Sequence, residues 1–212
     1  MENGRMIKRI DTHSFDETIL TENGWILDIG CRGYALSNYF AEKNFRVIAC
    51  DPDINIKPSP HQNIIYKRIG IVGTDVKESN YAGWSTGEGN YITDKRPAHA
   101  SAYYKIKCNT IKDLMEEYNI KEFEIIKMDC EGSEYDILMN LDQTCTKQIS
   151  VEFHDFLGLN PYYPNNEEYY SKLRNKLSNF DFVIHAMTPM IKHNPLMNYW
   201  DSLFIRKDCN AK

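Results

Sequence analysis

The chain lacks a basic footprint. Lys and Arg number 25 against 30 Asp and Glu, a net charge of −5, and clusters such as Lys95-Arg96 are no longer than a solvated surface requires. Proteins that grip nucleic acid concentrate positive charge to displace counterions from phosphates, so no nucleic-acid partner is expected. No run approaches the ~20 apolar residues needed to cross a bilayer, so no membrane span is expected either. Residues Met1 to Arg5 lack the apolar core of a signal peptide. Internal repeats and low-complexity tracts are missing, which argues against a solenoid or a disordered linker. The six cysteines contain no CxxC pair. Cys31, Cys50, Cys108 and Cys130 lie in or beside apolar runs, which predicts small buried side chains rather than disulfides or a zinc site. A cytoplasmic protein is the expectation.

What is present is an alternation. The 212 residues, 42% apolar and 26% charged, suit one globular domain over 1–212, with 1–23 as an N-terminal extension. Trp25–Ile29, Arg46–Cys50, a segment within Asn63–Val72, Glu124–Met128 and Gln148–Phe153 read as buried strands, and Lys105–Cys108 as a further pairing segment. Between them, Tyr34–Lys43, the stretch capped by Thr110, Tyr135–Leu141 and Glu167–Leu177 carry apolar residues at helical spacing. Phe180–Ala186 and Ser202–Arg206 close the chain as two strands without room for a long helix between them. The pattern predicts an α/β fold: a mainly parallel sheet, helices on both faces and one antiparallel strand near an edge. Lys77–Ala102 is the long irregular stretch, expected to be a lid or substrate loop.

The turn Asp28-Ile29-Gly30-Cys31-Arg32-Gly33 follows the first of these strands. Gly30 permits a tight turn, and Gly33 permits close helix packing or approach of a ligand. Asp28 stands where dinucleotide-binding turns have their first glycine. A carboxylate there would face a pyrophosphate across ~4 Å, a repulsion of roughly 4 kcal/mol at an effective dielectric near 20. S-adenosylmethionine carries an ammonium and a sulfonium instead, so the turn favours it over a nicotinamide dinucleotide. Asp51 ends the next strand, about 20 residues on, where an acidic side chain can accept ribose hydroxyls; Asp51-Pro52-Asp53 is also ordinary turn chemistry. Cofactor contacts are therefore expected from Asp28, Gly30, Cys31, Gly33, Asp51 and Asp129.

Asp129, Glu131 and Glu134 crowd the end of the fourth strand. Carboxylates so close need a cation, donors or solvent, although Glu134 can be explained by the positive end of the following helix. His154 ends the fifth strand and suits proton removal near neutral pH, with Asp129 as the rival base. An oxygen-rich metal set from Asp129, Glu152, His154 and Asp155 is the alternative; the metal-free reading is preferred. Glu131, Trp84 and Tyr81 are candidate acceptor contacts, and packing against the core is the plainer role for any single aromatic.

The turn Leu27-Asp28-Ile29-Gly30, the segment from Ile126 to Glu134 with its KxDxEGxE pattern, and Val151-Glu152-Phe153-His154 resemble the FkbM family of methyltransferases from about Gly24 to Arg206. Cys31-Arg32 departs from the small or amide residues common at that point of the family. The resemblance implies a Rossmann-like methyltransferase fold with a mostly parallel seven-stranded sheet, S-adenosyl-L-methionine as donor, and O-methylation of sugars or natural products. The resulting expectation is an O-methyltransferase acting on a small-molecule or glycan acceptor. Its alternatives are a cofactor-binding module without turnover, a metal-dependent O-methyltransferase and, weakest, a nicotinamide oxidoreductase.

Overall fold

The computed structural model describes residues 5–83, 91–93, 95–96, 98, 100–156, 167–189 and 197–209. A hairpin, β1 (Ile7–Ile10) and β2 (His13–Asp16), opens the chain. Then follow β3 (Trp25–Ile29), α1 (Ala35–Glu42), β4 (Arg46–Cys50), β5 (Ile64–Lys67), β6 (Gly70–Ile71), β7 (Glu78–Gly83), β8 (Tyr91–Ile92) and β9 (Ala102–Asn109). The remainder is α2 (Ile111–Tyr118), β10 (Phe123–Met128), α3 (Glu134–Asn140), β11 (Thr146–Phe156), α4 (Glu167–Lys176), β12 (Phe180–Pro189) and β13 (Met197–Arg206).

The main sheet has seven strands in the order β12-β13-β11-β10-β3-β4-β5. Pairs from β11 through β5 are parallel, and β13 runs against both β11 and β12. The sheet is therefore mixed, with the expected single antiparallel strand lying second from the edge. Both faces are covered, which is why β3, apart from Asp28, and β4, after Arg46, read as apolar runs. Leu27, Ile29, Ile48 and Ile126 pack with residues of α2, α3 and α4 in the larger core. Ile26, Val47, Ala49 and Ile125 pack with Leu36 and Phe40 of α1 and with Phe15 of β2. Thr110 caps α2 as its spacing predicts: its side chain accepts from the Asp113 N–H, and Asp113 accepts from the Thr110 N–H in return.

Two elements depart from the sequence reading. Lys77–Ala102 is not simply a loop, because β7 pairs antiparallel with β8 and β9. With β6 these strands form a second, four-stranded sheet. Lys105–Cys108 belongs to that sheet and not to the main one. The residues before Gly24 are also more than an extension. The Asp16 N–H donates to Gln148 Oε1, the Gln148 amide donates to Asp16 O, and Thr12 Oγ1 donates to Glu152 Oε2, so the hairpin lies against β11. Among the described residues, no helix is long and apolar enough to cross a membrane.

Candidate active site

Side chains alternate across a strand. Ile149, Val151 and Phe153 of β11 enter the larger core, so Gln148, Ser150, Glu152 and His154 face the hairpin side. The same parity places Asp28 of β3 and Lys127 of β10 there, and the register sets Lys127 beside Asp28 on one flank and Ser150 on the other. A polar row thus crosses the centre of the sheet, although each strand taken alone reads as apolar.

Sheet order reverses between β3 and β10, since the chain builds outward from β3 through β4 and β5 and then returns to β10 on its other side. Ligands of open α/β sheets settle outside the carboxyl ends of strands at such a point. A cleft of about 640 Å³, counting its open mouth, lies there, lined by Gly30, Arg32, Asp51, Asp53, Asp129 and Glu131 among others. Ile71, Tyr81, Tyr91 and Ile92 close its other wall. Tyr81 packs on Tyr104, with ring centroids 5.2 Å apart. The Tyr104 hydroxyl donates to Pro52 O and accepts from the Ile54 N–H, tying the loop after β4 to the second sheet.

Gly30 is required where it stands. Its φ is +75°, and a Cβ there would lie 1.7 Å from the carbonyl oxygen of Asp129, inside any permitted contact. Asp51 is buried, and its side chain accepts from the Asp53 N–H at 2.9 Å. Burial pushes the Asp51 carboxyl up to about 6.

Several expected cofactor contacts sit elsewhere. Asp28 is buried beneath the turn, accepting from Ser37 Oγ at 2.6 Å and pairing with Lys127 Nζ at 3.1 Å. The ammonium that a cofactor was expected to supply is already present as Lys127. That side chain also donates to the carbonyl oxygens of Ile29 and Gly30, so it holds the turn from below. Burial opposes its charge, but Asp28 and Asp129 outweigh that and keep it protonated. Cys31 is buried in the core beside Leu36 and Phe40, and burial drives its thiol far above the ordinary range. Gly33 is exposed and meets no atom within 4 Å of an added Cβ, its φ of +78° serving the turn itself. Trp84 lies outside the described residues.

The acidic end is tightly organised. Glu134 is fully buried and accepts from the N–H groups of Cys130 and Gly132 at about 3 Å, which ties down the turn before α3. His154 is 1% exposed and does not line the cleft. Its Nδ1 lies 3.1 Å from Glu134 Oε1, and its Nε2 lies 3.5 Å from Glu131 and 3.6 Å from both Asp129 and Glu152. Burial would strip its proton, but Glu134, Glu131 and Asp129 outweigh burial and push the imidazole up to about 10. His154, expected as the base, is thus set behind the cleft wall in contact with Glu131 and Glu134. Burial opposes the charge of Asp129 too, yet Lys127, His13 and His154 prevail and hold its carboxyl well below the usual range. Sequence reasoning missed His13 and Lys127, the partner of Asp28. A lysine inside an apolar strand was the visible signal for the second.

Residues 29–184 match the sequence model of the Methyltransferase FkbM domain, about three quarters of the chain. The chain belongs to the FkbM methyltransferase family. S-adenosylmethionine is accordingly its methyl donor. Within the FkbM signature, Lys127 and Glu134 brace the turns, while Asp129 and Glu131 line the cleft. Among solved structures, the fibrillarin pre-rRNA processing protein of Methanococcus jannaschii is similar at 11% identity, over 98% of this chain and 72% of its own, with a TM-score of 0.48. The 1,6-didemethyltoxoflavin-N1-methyltransferase of Burkholderia thailandensis, bound to S-adenosylhomocysteine, is similar at 13% identity over 87% and 72%, with a TM-score of 0.42. Likeness at these values bears on neither acceptor nor reacting atom. No curated protein matches the chain in sequence.

Proposed function

We infer that this FkbM-family protein transfers the methyl group of S-adenosylmethionine to a hydroxyl of a sugar, glycan or related small molecule. The observation that carries this reading is the pair Asp129 and Glu131, side by side on the cleft wall beyond the Gly30 turn. Carboxylates accept hydrogen bonds from hydroxyls and repel phosphates, so the cleft favours a neutral polyol over a polyanion.

In this arrangement Gly30 lets the cofactor approach the backbone, and Asp51 accepts its ribose hydroxyls. Asp129 orients the acceptor hydroxyl, and Glu131 takes its proton as the O–CH₃ bond forms. The S–CH₃ bond breaks with its electron pair left on sulfur, so the sulfonium becomes a neutral thioether. Alignment of donor and acceptor supplies much of the rate, as in other direct displacements. Asp28, Lys127 and His154 work from beneath by holding the turns in register.

Incubation with S-adenosylmethionine and a panel of sugars and polyols, read by mass spectrometry, tests this. A mass gain of one methylene in a hydroxyl-bearing acceptor, reduced in Glu131→Gln, is expected. Products methylated only at nitrogen or carbon would overturn the hydroxyl assignment. Cofactor binding with no product across the panel would return the protein to a binding module.

A further inference from the structure

The β1–β2 hairpin brings beside Asp129, behind the cleft wall that this residue lines, a histidine that lies before the FkbM-matched segment. His13 is 4% exposed. Its Nδ1 lies 3.3 Å from Ser150 Oγ, and its Nε2 makes no hydrogen bond among the described residues. The carboxylate oxygen facing that nitrogen, Asp129 Oδ2, is 3.9 Å away, beyond hydrogen-bond reach. A buried polar atom left so is costly and points to an occupant.

The surroundings indicate which occupant. One ligand atom each from His13, Asp129 and Glu152 lies within 4.8 Å of the others, and Asp129, Glu131 and His154 form a second such set. Five carboxylates, those of Asp28, Asp129, Glu131, Glu134 and Glu152, surround Lys127 and His154. Negative groups exceed positive ones even with both bases charged. Thr12 Oγ1 donates to Glu152 Oε2 at 2.7 Å, and Glu152 Oε1 lies 3.6 Å from His154 Nε2.

We propose that His13, Asp129 and Glu152 hold a divalent cation of the Mg²⁺ or Mn²⁺ class at the acceptor end of the cleft. One imidazole with several carboxylate oxygens suits these ions. The tautomer that donates Nδ1–H to Ser150 Oγ leaves the Nε2 lone pair directed at the ion, the usual arrangement of a ligating histidine. The ion lies on the hairpin side of Asp129, and His154 braces Glu131 and Glu134 on the other. Its role rests on the hydroxyl-methylation reading: it would bind neighbouring oxygens of the acceptor and ease loss of the proton from the one to be methylated. The metal set weighed from the sequence, Asp129, Glu152, His154 and Asp155, did not include His13.

The test is a titration of the full chain with Mn²⁺, without cofactor, read by the electron paramagnetic resonance of free Mn²⁺. One bound ion per chain is expected, held about tenfold or more weakly in His13→Ala and in the isosteric Glu152→Gln. Circular dichroism confirms that each variant is folded. If His13→Ala fails to fold, Glu152→Gln and Ser150→Ala, expected to bind more weakly through the lost tautomer, decide the matter. Wild type that binds no Mn²⁺ at millimolar concentration, or folded variants that bind as wild type does, would overturn the site. Calorimetry with S-adenosylmethionine on the same sample separates the two readings. Cofactor heat without bound Mn²⁺ removes the ion alone, whereas bound Mn²⁺ with no methylated hydroxyl supports the ion and removes the hydroxyl assignment.

Discussion

Replacing Asp51 by Asn should make the protein more stable and a poorer binder of its cofactor. Burial raises the Asp51 carboxyl from its usual 3.8 to about 6, so the fold disfavours the charged form that neutral pH imposes. The penalty is negligible below about pH 3, where both folded and unfolded chains are protonated, and grows as pH rises between the two values. Integrated, it reaches about 1.5 kcal/mol at pH 5 and about 3 kcal/mol at pH 8. Asn keeps the acceptor for the Asp53 N–H and removes the charge. Urea denaturation should therefore show Asp51→Asn more stable than wild type, by a margin that widens from pH 5 to pH 8. Cofactor affinity should move the other way. A ribose hydroxyl bonded to a carboxylate contributes ~1 to 1.5 kcal/mol more than one bonded to a neutral amide, so calorimetry at pH 8 should show about tenfold weaker binding. A stability margin that narrows with rising pH would refute the electrostatic reasoning. Unchanged affinity would remove Asp51 from the ribose site.

Three further outcomes follow from the geometry. Gly30→Ala forces a Cβ into the Asp129 carbonyl, so it should lose cofactor binding and several degrees of Tm, both readable by a thermal-shift assay. Lys127→Met leaves Asp28 buried without its partner, a loss on the order of 3–5 kcal/mol in chemical denaturation; a stability within 1 kcal/mol of wild type, on that same scale, would show that Ser37 suffices. Thr110→Ala removes half of the α2 capping box and should cost about 1 kcal/mol, or roughly 2–4 °C in Tm, with activity unchanged.

Much of this was legible along the chain because it depends on neighbours in sequence. The apolar parity of β3, β10 and β11, the Thr110–Asp113 cap, the glycine demanded at position 30 and the acidic stretch from Asp129 to Glu134 are local patterns, and their locations held. The brief connection between the last two strands likewise announced an antiparallel pair. Register and distant pairing are not local. Asp28 read as a carboxylate awaiting a cationic ligand because its true counter-ion, Lys127, joins it only when β10 docks beside β3. The surroundings of His154 were not legible either, because Asp129, Glu131 and Glu134, which lie between the end of β10 and the start of α3, meet it only when the strands assemble. His13 carried no signal, since a histidine in a short hairpin acquires meaning only when that hairpin lies against β11. A sequence states which charges exist; their sign of influence depends on distance and burial, and those are decided when the strands assemble.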